Sequence, residues 1–381
     1  MAKKKVKQST ETKAKPKSSI QEQIKELEKE VATTKYNKKT QHHIGLVKAK
    51  IARLREKQEA RKKSGKKGEG YSVRKTGDAT VLLLGFPSVG KSTLLNALTN
   101  AQSQIAAYAF TTLTVVPGLL KYKHAKIQIL DVPGIVTGAA AGTGRGKEVL
   151  AVLRNADLAL IIVDVNYPEH QKAILREVYN TNIRLDKRKP DVRITKTIRG
   201  GIRVGSTVKL THLTKELIQG VMREFKIANA DVLIRTDITV DELIDVIEAN
   251  KVYMPMITLV NKVDMATKAQ IEKIKKMIKP DLMMSAEKRT NVKELKDMIF
   301  EKLNFIRIYL KEVGKKPDLA EPLIMFKGCT IRAVCNKLHK DFVTKFRFAR
   351  VWGKSAKFDG QSFRKLDKGL QDEDILELHI S

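Results

Sequence analysis

Eight consecutive residues have the types and the spacing that a polyphosphate-binding loop requires. They fit the pattern G-x-x-x-x-G-K-S/T and are, in order, Gly85, Phe86, Pro87, Ser88, Val89, Gly90, Lys91 and Ser92. The apolar residues 80–84 before them predict a buried strand, and Ser92, Thr93 and the residues that follow predict the start of a helix. A strand, a glycine-rich turn and a helix N-terminus together direct several backbone N–H groups at one anion. In such a loop the lysine reaches the β- and γ-phosphates, and the hydroxyl of Ser92 is a ligand for magnesium.

A second apolar segment ends in a carboxylate that is suited to hold a magnesium ion. Residues 127–130 lead into the run Asp131-Val132-Pro133-Gly134. Behind a phosphate loop, an Asp at the end of a buried strand holds the metal, usually through a water, and we assign that role to Asp131. The backbone N–H of Gly134 is the expected contact to a γ-phosphate. Because the same composition is typical of a simple turn, this assignment depends on the phosphate loop that precedes it.

A third apolar segment predicts which base is bound. Residues 256–260 lead into the run Asn261-Lys262-Val263-Asp264. The Asp264 carboxylate can accept hydrogen bonds from N1–H and from the exocyclic amine of guanine, and adenine lacks that pair of donors. A buried acceptor would therefore stay unpaired with the wrong base. The predicted nucleotide is GTP or GDP.

The neighbours of Asp264 are expected to complete the site for the base. Asn261 is predicted to tie its segment to the phosphate loop, and the stem of Lys262 is predicted to cover one face of the base. Ser285 and Ala286 follow a further short strand. The backbone N–H of Ala286 is the expected donor to guanine O6.

A candidate for a mobile metal ligand lies between the first two motifs. A magnesium-dependent GTPase needs a threonine that closes on the metal and the γ-phosphate and is released after hydrolysis. Thr111 and Thr112, which follow Phe110, are both candidates. The alternative is that this pair only begins the strand 113–116, because β-branched residues also favour strands.

These motifs, in this order, resemble those of the Obg-type GTPases. Phe86-Pro87-Ser88, residues 110–113 and residues 131–134 carry the resemblance, and the layout from about Ile20 to the C-terminus is similar to one branch, the developmentally regulated GTP-binding (DRG) proteins. The resemblance implies an α/β P-loop GTPase domain with a mostly parallel, doubly wound sheet that hydrolyses GTP to GDP and phosphate. It also implies that Thr112, rather than Thr111, is the magnesium ligand. Lys91, Thr112 and Gly134 are then the residues that serve catalysis.

One position departs from the Ras-type pattern. Ras-like enzymes place a glutamine directly after the D-x-x-G glycine to orient the attacking water, and here that position is Ile135. Hydrolysis is therefore expected to be slow without an activator. Three candidates could take over the role of this glutamine: a residue of a partner, a potassium ion, or Arg145 acting in cis. The alternative for Arg145 is a solvated side chain without a role in hydrolysis. Relatives with well-understood potassium sites have an asparagine where this chain has Ser88.

The chain is strongly basic. It has 381 residues with 74 Lys+Arg and 42 Asp+Glu, for a net charge of +32, and residues 1–80 contribute 24 Lys+Arg against 9 Asp+Glu. A local excess of this size favours a polyanion through the release of counterions. Because aromatic residues are scarce in that region, the expected contact there is with RNA phosphates rather than with stacked bases. A solvated tail that only aids solubility is the alternative.

Composition also bears on location and assembly. Cys329 and Cys335 are too few for a disulfide framework or a zinc site. No apolar run reaches the length of a membrane span, and the N-terminal lysines lack the apolar core of a signal peptide. The expectation is a cytoplasmic monomer without membrane contact. Four histidines lack partners at metal or catalytic spacing and are expected to be surface or core residues: His124, His170, His212 and His339.

Periodicity and composition predict five regions and a linker. They are a disordered basic tail at 1–17, a helical hairpin at 18–64, a linker at 65–76, a GTPase domain in two parts at 77–167 and 236–303, an inserted domain at 168–235 and a C-terminal domain at 304–381. The insert is inferred because about 90 residues separate two apparent sheet strands, far more than one crossover requires.

The two added domains have their own patterns. The insert is predicted to be β-β-α-β with a hairpin turn at Gly200-Gly201, and the helix 239–249 is assigned to the GTPase domain. By resemblance to the DRG proteins, the N-terminal hairpin is helix-turn-helix-like, the insert is ribosomal-protein-like and the C-terminal domain is a β-grasp TGS domain. Both added domains carry basic residues for which RNA contact is predicted, with a solvated face as the alternative: Arg193, Lys196, Arg199, Arg203, Lys209, Lys337, Lys340, Lys345, Arg347, Arg350, Lys354 and Lys357.

The combined prediction is a magnesium-dependent, GTP-hydrolysing switch that binds RNA or ribosomes, through rRNA or tRNA, and acts in translation. The resemblance to eukaryotic DRG proteins adds a regulatory partner protein with zinc fingers as a candidate. One alternative is an RNA- or ribosome-binding scaffold in which the nucleotide is a structural ligand and hydrolysis is negligible. The other is the use of ATP, against which Asp264 argues.

Overall fold

The computed structural model describes residues 19–35, 37, 40–63, 77–99, 106–107, 114–131 and 154–380. The chain divides into two compact units, one formed by Met1–Glu69 with Lys189–Lys251 and the other by Gly70–Arg188 with Val252–Ser381. None of the described helices has both the length and the apolar character that a membrane crossing needs.

The elements follow one another along the chain. The described helices are α1 Ile20–Thr33, α2 Gln41–Lys63, α3 Lys91–Thr99, α4 His170–Asn180, α5 Lys215–Glu224, α6 Val240–Glu248, α7 Lys268–Ile278, α8 Val292–Lys302, α9 Ile331–Leu338 and α10 Asp341–Thr344. The described strands are β1 Ala79–Leu84, β2 Ala106–Ala107, β3 Thr114–Tyr122, β4 Ala125–Asp131, β5 Leu158–Asp164, β6 Ile183–Leu185, β7 Val192–Lys196, β8 Ile202–Ser206, β9 Ala230–Ile234, β10 Val252–Met254, β11 Met256–Asn261, β12 Leu282–Met283, β13 Phe305–Lys311, β14 Leu323–Phe326, β15 Phe346–Trp352, β16 Gln361–Phe363 and β17 Asp374–Ile380.

A seven-stranded sheet is the centre of the larger unit. Its order is β12-β11-β5-β1-β4-β3-β2, and β12, β11, β5, β1 and β4 are parallel. Strand β3 runs antiparallel to β4, and β2 runs antiparallel to β3. Every residue of β1 and β5 is buried, as is typical of central parallel strands that are covered on both faces. The predicted doubly wound, mostly parallel sheet is confirmed.

Alternate residues of β1 face two different cores. Val81 and Leu83 belong to a core that includes residues of α3 and α8, whereas Leu82 and Leu84 belong to one that includes residues of α4 and α7. The sheet is therefore covered by helices on both faces. Because its parallel strands run in one direction, the carboxyl ends of β1, β4, β5 and β11 meet at one edge, where ligands bind in open α/β sheets.

A five-stranded sheet with the order β14-β13-β17-β15-β16 forms the C-terminal part of the same unit. Helix α9 packs against one of its faces. Phe305 and Ile324 of this sheet lie in the core of the seven-stranded sheet, and Lys337 Nζ lies 2.7 Å from Asp78 Oδ1. The two sheets therefore belong to one compact body.

The N-terminal helices pack against the insert in the smaller unit. Ser19 caps α1 with a complete capping box, which fixes the start of that helix. A Cβ added at Gly45 of α2 would lie 2.7 Å from Leu217 Cδ1 of α5, and one added at Gly220 of α5 would lie 2.8 Å from Leu46 Cδ2. The absence of a side chain at both positions lets α2 and α5 approach closely.

The predicted hairpin between the first two strands of the insert is wrong. Gly200 and Gly201 do form a left-handed turn, with φ of 105° and 70°. The sheet order, however, is β7-β9-β8, with β9 antiparallel to β7 and parallel to β8. Strand β9 takes the centre because its alternate residues Ala230, Val232 and Ile234 are buried.

The boundaries of the insert also differ from 168–235. Helix α4 stays with the seven-stranded sheet because Ile174 and Val178 lie in its core, and α6 joins the insert because Leu243 lies in the core of the smaller unit. Both helices are amphipathic. Periodicity indicates which face of a helix is buried, but not which sheet buries it.

Candidate nucleotide-binding site

The predicted phosphate loop connects β1 to α3, so a buried strand and a helix N-terminus hold its two ends. Ser88 and Gly90 have left-handed φ values of 63° and 91°. A Cβ at Gly90 would lie 2.4 Å from Asn261 Nδ2, and one at Gly85 would lie 2.8 Å from the carbonyl oxygen of Ile162. Both glycines of the motif are therefore required by close approach of other atoms.

The Lys91 ammonium lies within this loop. Its Nζ donates to the carbonyl oxygens of Gly85 at 3.1 Å and Phe86 at 3.0 Å. Burial lowers the pKa of Lys91, and the nearby carboxylate of Asp131 opposes that shift. The loop thus holds a partly desolvated cation at its mouth, where an electrostatic contact to an anion is stronger than in water.

Ser92 and Asp131 come together although they lie on different elements. Ser92 Oγ donates to Asp131 Oδ2 at 3.0 Å. Asp131 is 5% exposed, and its Oδ1 has no hydrogen-bond partner among the described residues. A buried carboxylate oxygen without a partner is costly, and a carboxylate next to a hydroxyl is a donor set that suits Mg²⁺. The residues present therefore fit a magnesium ion.

Asn261 joins the phosphate loop to the segment that follows β12. Its Nδ2 donates to the carbonyl oxygen of Val89 at 2.8 Å, and its Oδ1 accepts from the Ala286 N–H at 2.9 Å. The side chain is 2% exposed. The first contact is the one expected from the sequence. The second differs from expectation, because the Ala286 N–H assigned to guanine O6 here donates to Asn261.

Asp264 lies beside Ser285 in the 3-10 turn after β11. A hydrogen bond from Ser285 lowers the pKa of Asp264, and Lys288, whose Nζ lies 3.8 Å from Asp264 Oδ2, contributes in the same direction. The carboxylate is therefore ionised and able to accept hydrogen bonds at neutral pH, as recognition of guanine requires.

Three family descriptions match successive parts of the chain. Residues 80–196 match the family described as 50S ribosome-binding GTPase, 199–305 match the C-terminal region of the MMR_HSR1 domain, and 306–380 match the TGS domain. An uncharacterized GTP-binding protein of Methanocaldococcus jannaschii is 53% identical over 95% of this chain and 93% of its own length. The human developmentally-regulated GTP-binding protein 2 is 42% identical over 94% of this chain and 99% of its own length. The chain belongs to the DRG family of Obg-type GTPases. Like its family, it is a GTP-binding protein.

Asp164 is a residue of this DRG site that sequence reasoning missed. Lys262 Nζ contacts Asp164 Oδ2 at 2.7 Å and donates to the Ser88 carbonyl oxygen at 2.7 Å. Burial raises the pKa of Asp164, but hydrogen bonds from Lys262 and Asn166 outweigh burial and leave the pKa lowered. Asp164 thus fixes Lys262 against the phosphate loop. The available signal was that β5, like β4, ends in an aspartate.

Asp164→Asn is expected to lower the free energy of unfolding of this DRG protein by about 1–3 kcal/mol at pH 7. The folded-state pKa of Asp164 lies below the unfolded value of about 3.9, so its contribution is present above about pH 4 and is lost as the pH falls through the folded-state pKa. Urea unfolding between pH 7 and pH 3 measures it. Asp367→Asn, at an exposed pair with Arg332, is the matched control and should change little. A loss that is the same at both pH values would contradict this role.

A stack of three rings supports the phosphate loop from the side of α4. The Phe86 ring lies 4.0 Å from the His170 ring, and the Tyr167 ring lies 5.3 Å from it, measured between centroids. His170 Nδ1 is buried and has no hydrogen-bond partner within the described residues. His170 therefore contacts the DRG phosphate loop, although its lone position in the sequence gave no signal of this.

Several predicted DRG site residues lie outside the part of the chain that the structure describes. They are Phe110, Thr111, Thr112, Val132, Pro133, Gly134, Ile135 and Arg145. Their assigned roles stay predictions.

Proposed function

We propose that this DRG protein is a magnesium-dependent GTPase switch that binds RNA or ribosomes and serves translation. One observation carries the nucleotide part of the proposal. The buried side chain of Asn261 joins the phosphate loop at Val89 to the base-binding segment at Ala286. Groups for the triphosphate and for guanine are thereby held in one rigid arrangement, which is how a site gains affinity through preorganisation.

The residues divide the work between binding and hydrolysis. Lys91 contacts the β- and γ-phosphates, and Asp264 accepts from guanine. Ser92, Thr112 and, through a water, Asp131 are the residues that would hold Mg²⁺, which supplies neutralisation of charge on the phosphates. Thr112 and Gly134 close on the γ-phosphate and are released after hydrolysis, and that change alters how the added domains hold RNA.

Charge supports the RNA part of the proposal. The net charge of +32, with its excess in residues 1–80, favours a polyanionic partner. The matching family is described as ribosome-binding, and activity on ribosomes would place the protein in the cytoplasm. Among the basic residues of the insert, Arg203 is partly neutralised because it pairs with both oxygens of Asp231 at 2.7 and 3.0 Å.

The rate of GTP hydrolysis and its activation distinguish the proposed switch from the alternative, an RNA-binding scaffold with a structural nucleotide. Ile135 cannot orient the attacking water as a glutamine does, so basal turnover is slow and an activator is required. We expect ribosomes, potassium or both to raise multiple-turnover GTP hydrolysis by about 10-fold or more, a modest part of what an activating residue contributes elsewhere.

The measurement compares phosphate release with and without ribosomes, in sodium and in potassium. Lys91→Ala is the control for contaminating activity and should abolish any stimulated rate. If neither ribosomes nor potassium accelerates hydrolysis, the protein is a scaffold with a structural nucleotide. If ribosomes alone accelerate it, ribosome binding rather than potassium supplies or positions the group that replaces the missing glutamine.

A further inference from the structure

One face of the C-terminal sheet combines aromatic and basic side chains. Residues 345–365 contain seven Lys or Arg against one Asp, and five aromatic residues including the single Trp, in a chain whose overall aromatic content is 5%. The nucleotide site uses none of them. Phe346 and Phe363 pack against the core with α9, whereas Phe348, Trp352 and Phe358 do not belong to it. These three aromatic residues and the cations beside them therefore need a separate explanation.

Strand register shows which side chains share this face. Ile308, Ala349, Val351 and Leu376 lie in the core with α9, so their neighbours in sequence point to the opposite side, because side chains alternate along a strand. We call this opposite side the aromatic face. Its members form cross-strand rows on β13, β17 and β15: Tyr309, Ile375 and Trp352; Lys311, Glu377 and Arg350; His379 and Phe348.

A buried carboxylate organises the cations of the aromatic face. Glu377 is 1% exposed. Lys311 contacts it, Arg350 Nη1 lies 3.8 Å away and His379 Nε2 lies 2.7 Å away. Two permanent positive charges thus share one negative charge, and the surplus remains at the surface because the Arg350 side chain is 50% exposed.

The same cations lie against the rings. Lys311 Nζ lies 4.7 Å from the centroid of Trp352, and the Phe348 and His379 rings stack at 4.1 Å. Rings bordered by cations attract both the faces of nucleobases and the phosphates that connect them.

The loop between β15 and β16 extends the aromatic face with an open ring. Phe358 is 65% exposed at its tip. Gly360, with φ of 75°, packs against Trp352, since an added Cβ would lie 3.3 Å from the indole Nε1. Lys354 is 68% exposed and Lys357 is exposed too.

Backbone contacts fix the shape of this loop. The N–H groups of Ala356 and Gly360 donate to the carbonyl oxygens of Gly353 and Val351, and the Lys357 N–H donates to Gln361 Oε1 at 2.7 Å. Phe358 is therefore presented by an ordered loop. An aromatic ring held in this way loses little conformational entropy when it stacks on a ligand.

We propose that the aromatic face and the loop carrying Phe358 bind single-stranded RNA, with Phe358 stacked on an unpaired base. Lys354, Lys357 and Arg350 contact the phosphates on either side. The bases of an RNA duplex are stacked and inaccessible to such rings, whereas unpaired bases are recognised by aromatic stacking. Lysine is depleted in protein–protein interfaces, so the lysines beside Phe358 favour RNA over a protein partner. This inference rests on the RNA contact proposed above.

Anisotropy of a fluorescein-labelled 12-nucleotide oligo(A) RNA, titrated with the full chain, tests the proposal. Phe358→Ala should weaken binding about 10-fold, from the loss of one stacked base. Phe358→Tyr should bind like the wild type, while Phe358→Leu, which keeps apolar bulk without a π-face, should resemble Phe358→Ala. Leu319→Ala, at a leucine that is 62% exposed in the same domain, is the matched control and should change nothing.

Two further readings separate this inference from the function on which it rests. A 12-base-pair RNA duplex should bind all Phe358 variants equally, and GTP hydrolysis without RNA should be the same in all of them. If Phe358→Leu binds oligo(A) as tightly as the wild type, stacking is excluded and the face serves apolar docking. If the wild type fails to bind oligo(A) while ribosomes still stimulate hydrolysis, the inference falls and the proposed function stands.

Discussion

Asp264→Asn is expected to move the nucleotide preference from GTP to xanthosine triphosphate. The wild-type carboxylate accepts from two donors of guanine, and each such bond to a charged group contributes about 1.5–3 kcal/mol. The amide of the variant can accept only one of them and sets its own N–H₂ against the other. The lost bond costs about 1.5–3 kcal/mol and the donor left facing the amide N–H₂ costs about 1–3 kcal/mol more, so GTP binding should weaken by about 10²–10⁴-fold.

Xanthine carries a carbonyl where guanine carries the amine, so it accepts from the amide of the variant and should recover most of the lost affinity. Calorimetry with GTP, xanthosine triphosphate and ATP measures this change in nucleotide preference. Glu272→Gln, on an exposed ion pair of α7, removes one carboxylate charge from the same domain and is the control. Unchanged GTP affinity in Asp264→Asn would refute the assignment of the base site, whereas equal loss for all three nucleotides would indicate a folding defect.

Contacts between residues of one contiguous motif could be predicted from the sequence. The strand, turn and helix around Gly85 to Ser92 are contiguous, so the order of residue types already determines the geometry. The meeting of Ser92 with Asp131 could also be predicted, because both follow strands whose carboxyl ends share an edge. In the same way, Asn261 was predicted to contact the phosphate loop because it ends β11.

The remaining contacts depend on packing between segments that are distant in sequence. The pairing of Lys262 with Asp164 joins the turn after β11 to the end of β5, and the stack of Phe86 on His170 joins the phosphate loop to the start of α4. Asp164 carries one local signal, its place at the end of a buried strand, but that signal does not identify Lys262 as its partner, and no local pattern distinguishes His170 from other histidines. A prediction would have required the relative position of β5 and β11, which only the assembled sheet provides.

The smaller unit shows the same limit on a larger scale. The apolar stripe of α2 was predicted, but its packing on α5 depends on the absence of side chains at Gly45 and Gly220. The central place of β9 depends on which strand buries every second side chain along its whole length, as β9 does with Ala230, Val232 and Ile234. In both cases an amphipathic element could pack against more than one other element. Hydrophobic periodicity shows which face of the element is buried, but not which element buries it.

Asn261→Ala should both loosen the loop at Ala286 and weaken GTP binding. The substitution leaves the Val89 carbonyl and the Ala286 N–H unpaired in a buried position, and each unpaired group costs about 1–3 kcal/mol. Amide hydrogen exchange at Ala286 should therefore accelerate about 10-fold or more, since every 1.4 kcal/mol of protection is a factor of ten. GTP affinity should fall with it, because the phosphate loop and the base segment no longer move as one piece.

Asn261→Asp separates the two contacts of this side chain. The carboxylate can still accept from the Ala286 N–H, so exchange at that amide should stay close to the wild-type rate. It cannot donate to the Val89 carbonyl and instead places negative charge against it, so GTP affinity should fall as in Asn261→Ala. Hydrogen exchange followed by mass spectrometry should thus differ between the two variants at Ala286. Calorimetry should show the same loss of GTP affinity in both. If both variants protect Ala286 and bind GTP as the wild type does, Asn261 does not join the two loops and the basis for the preorganised site is lost.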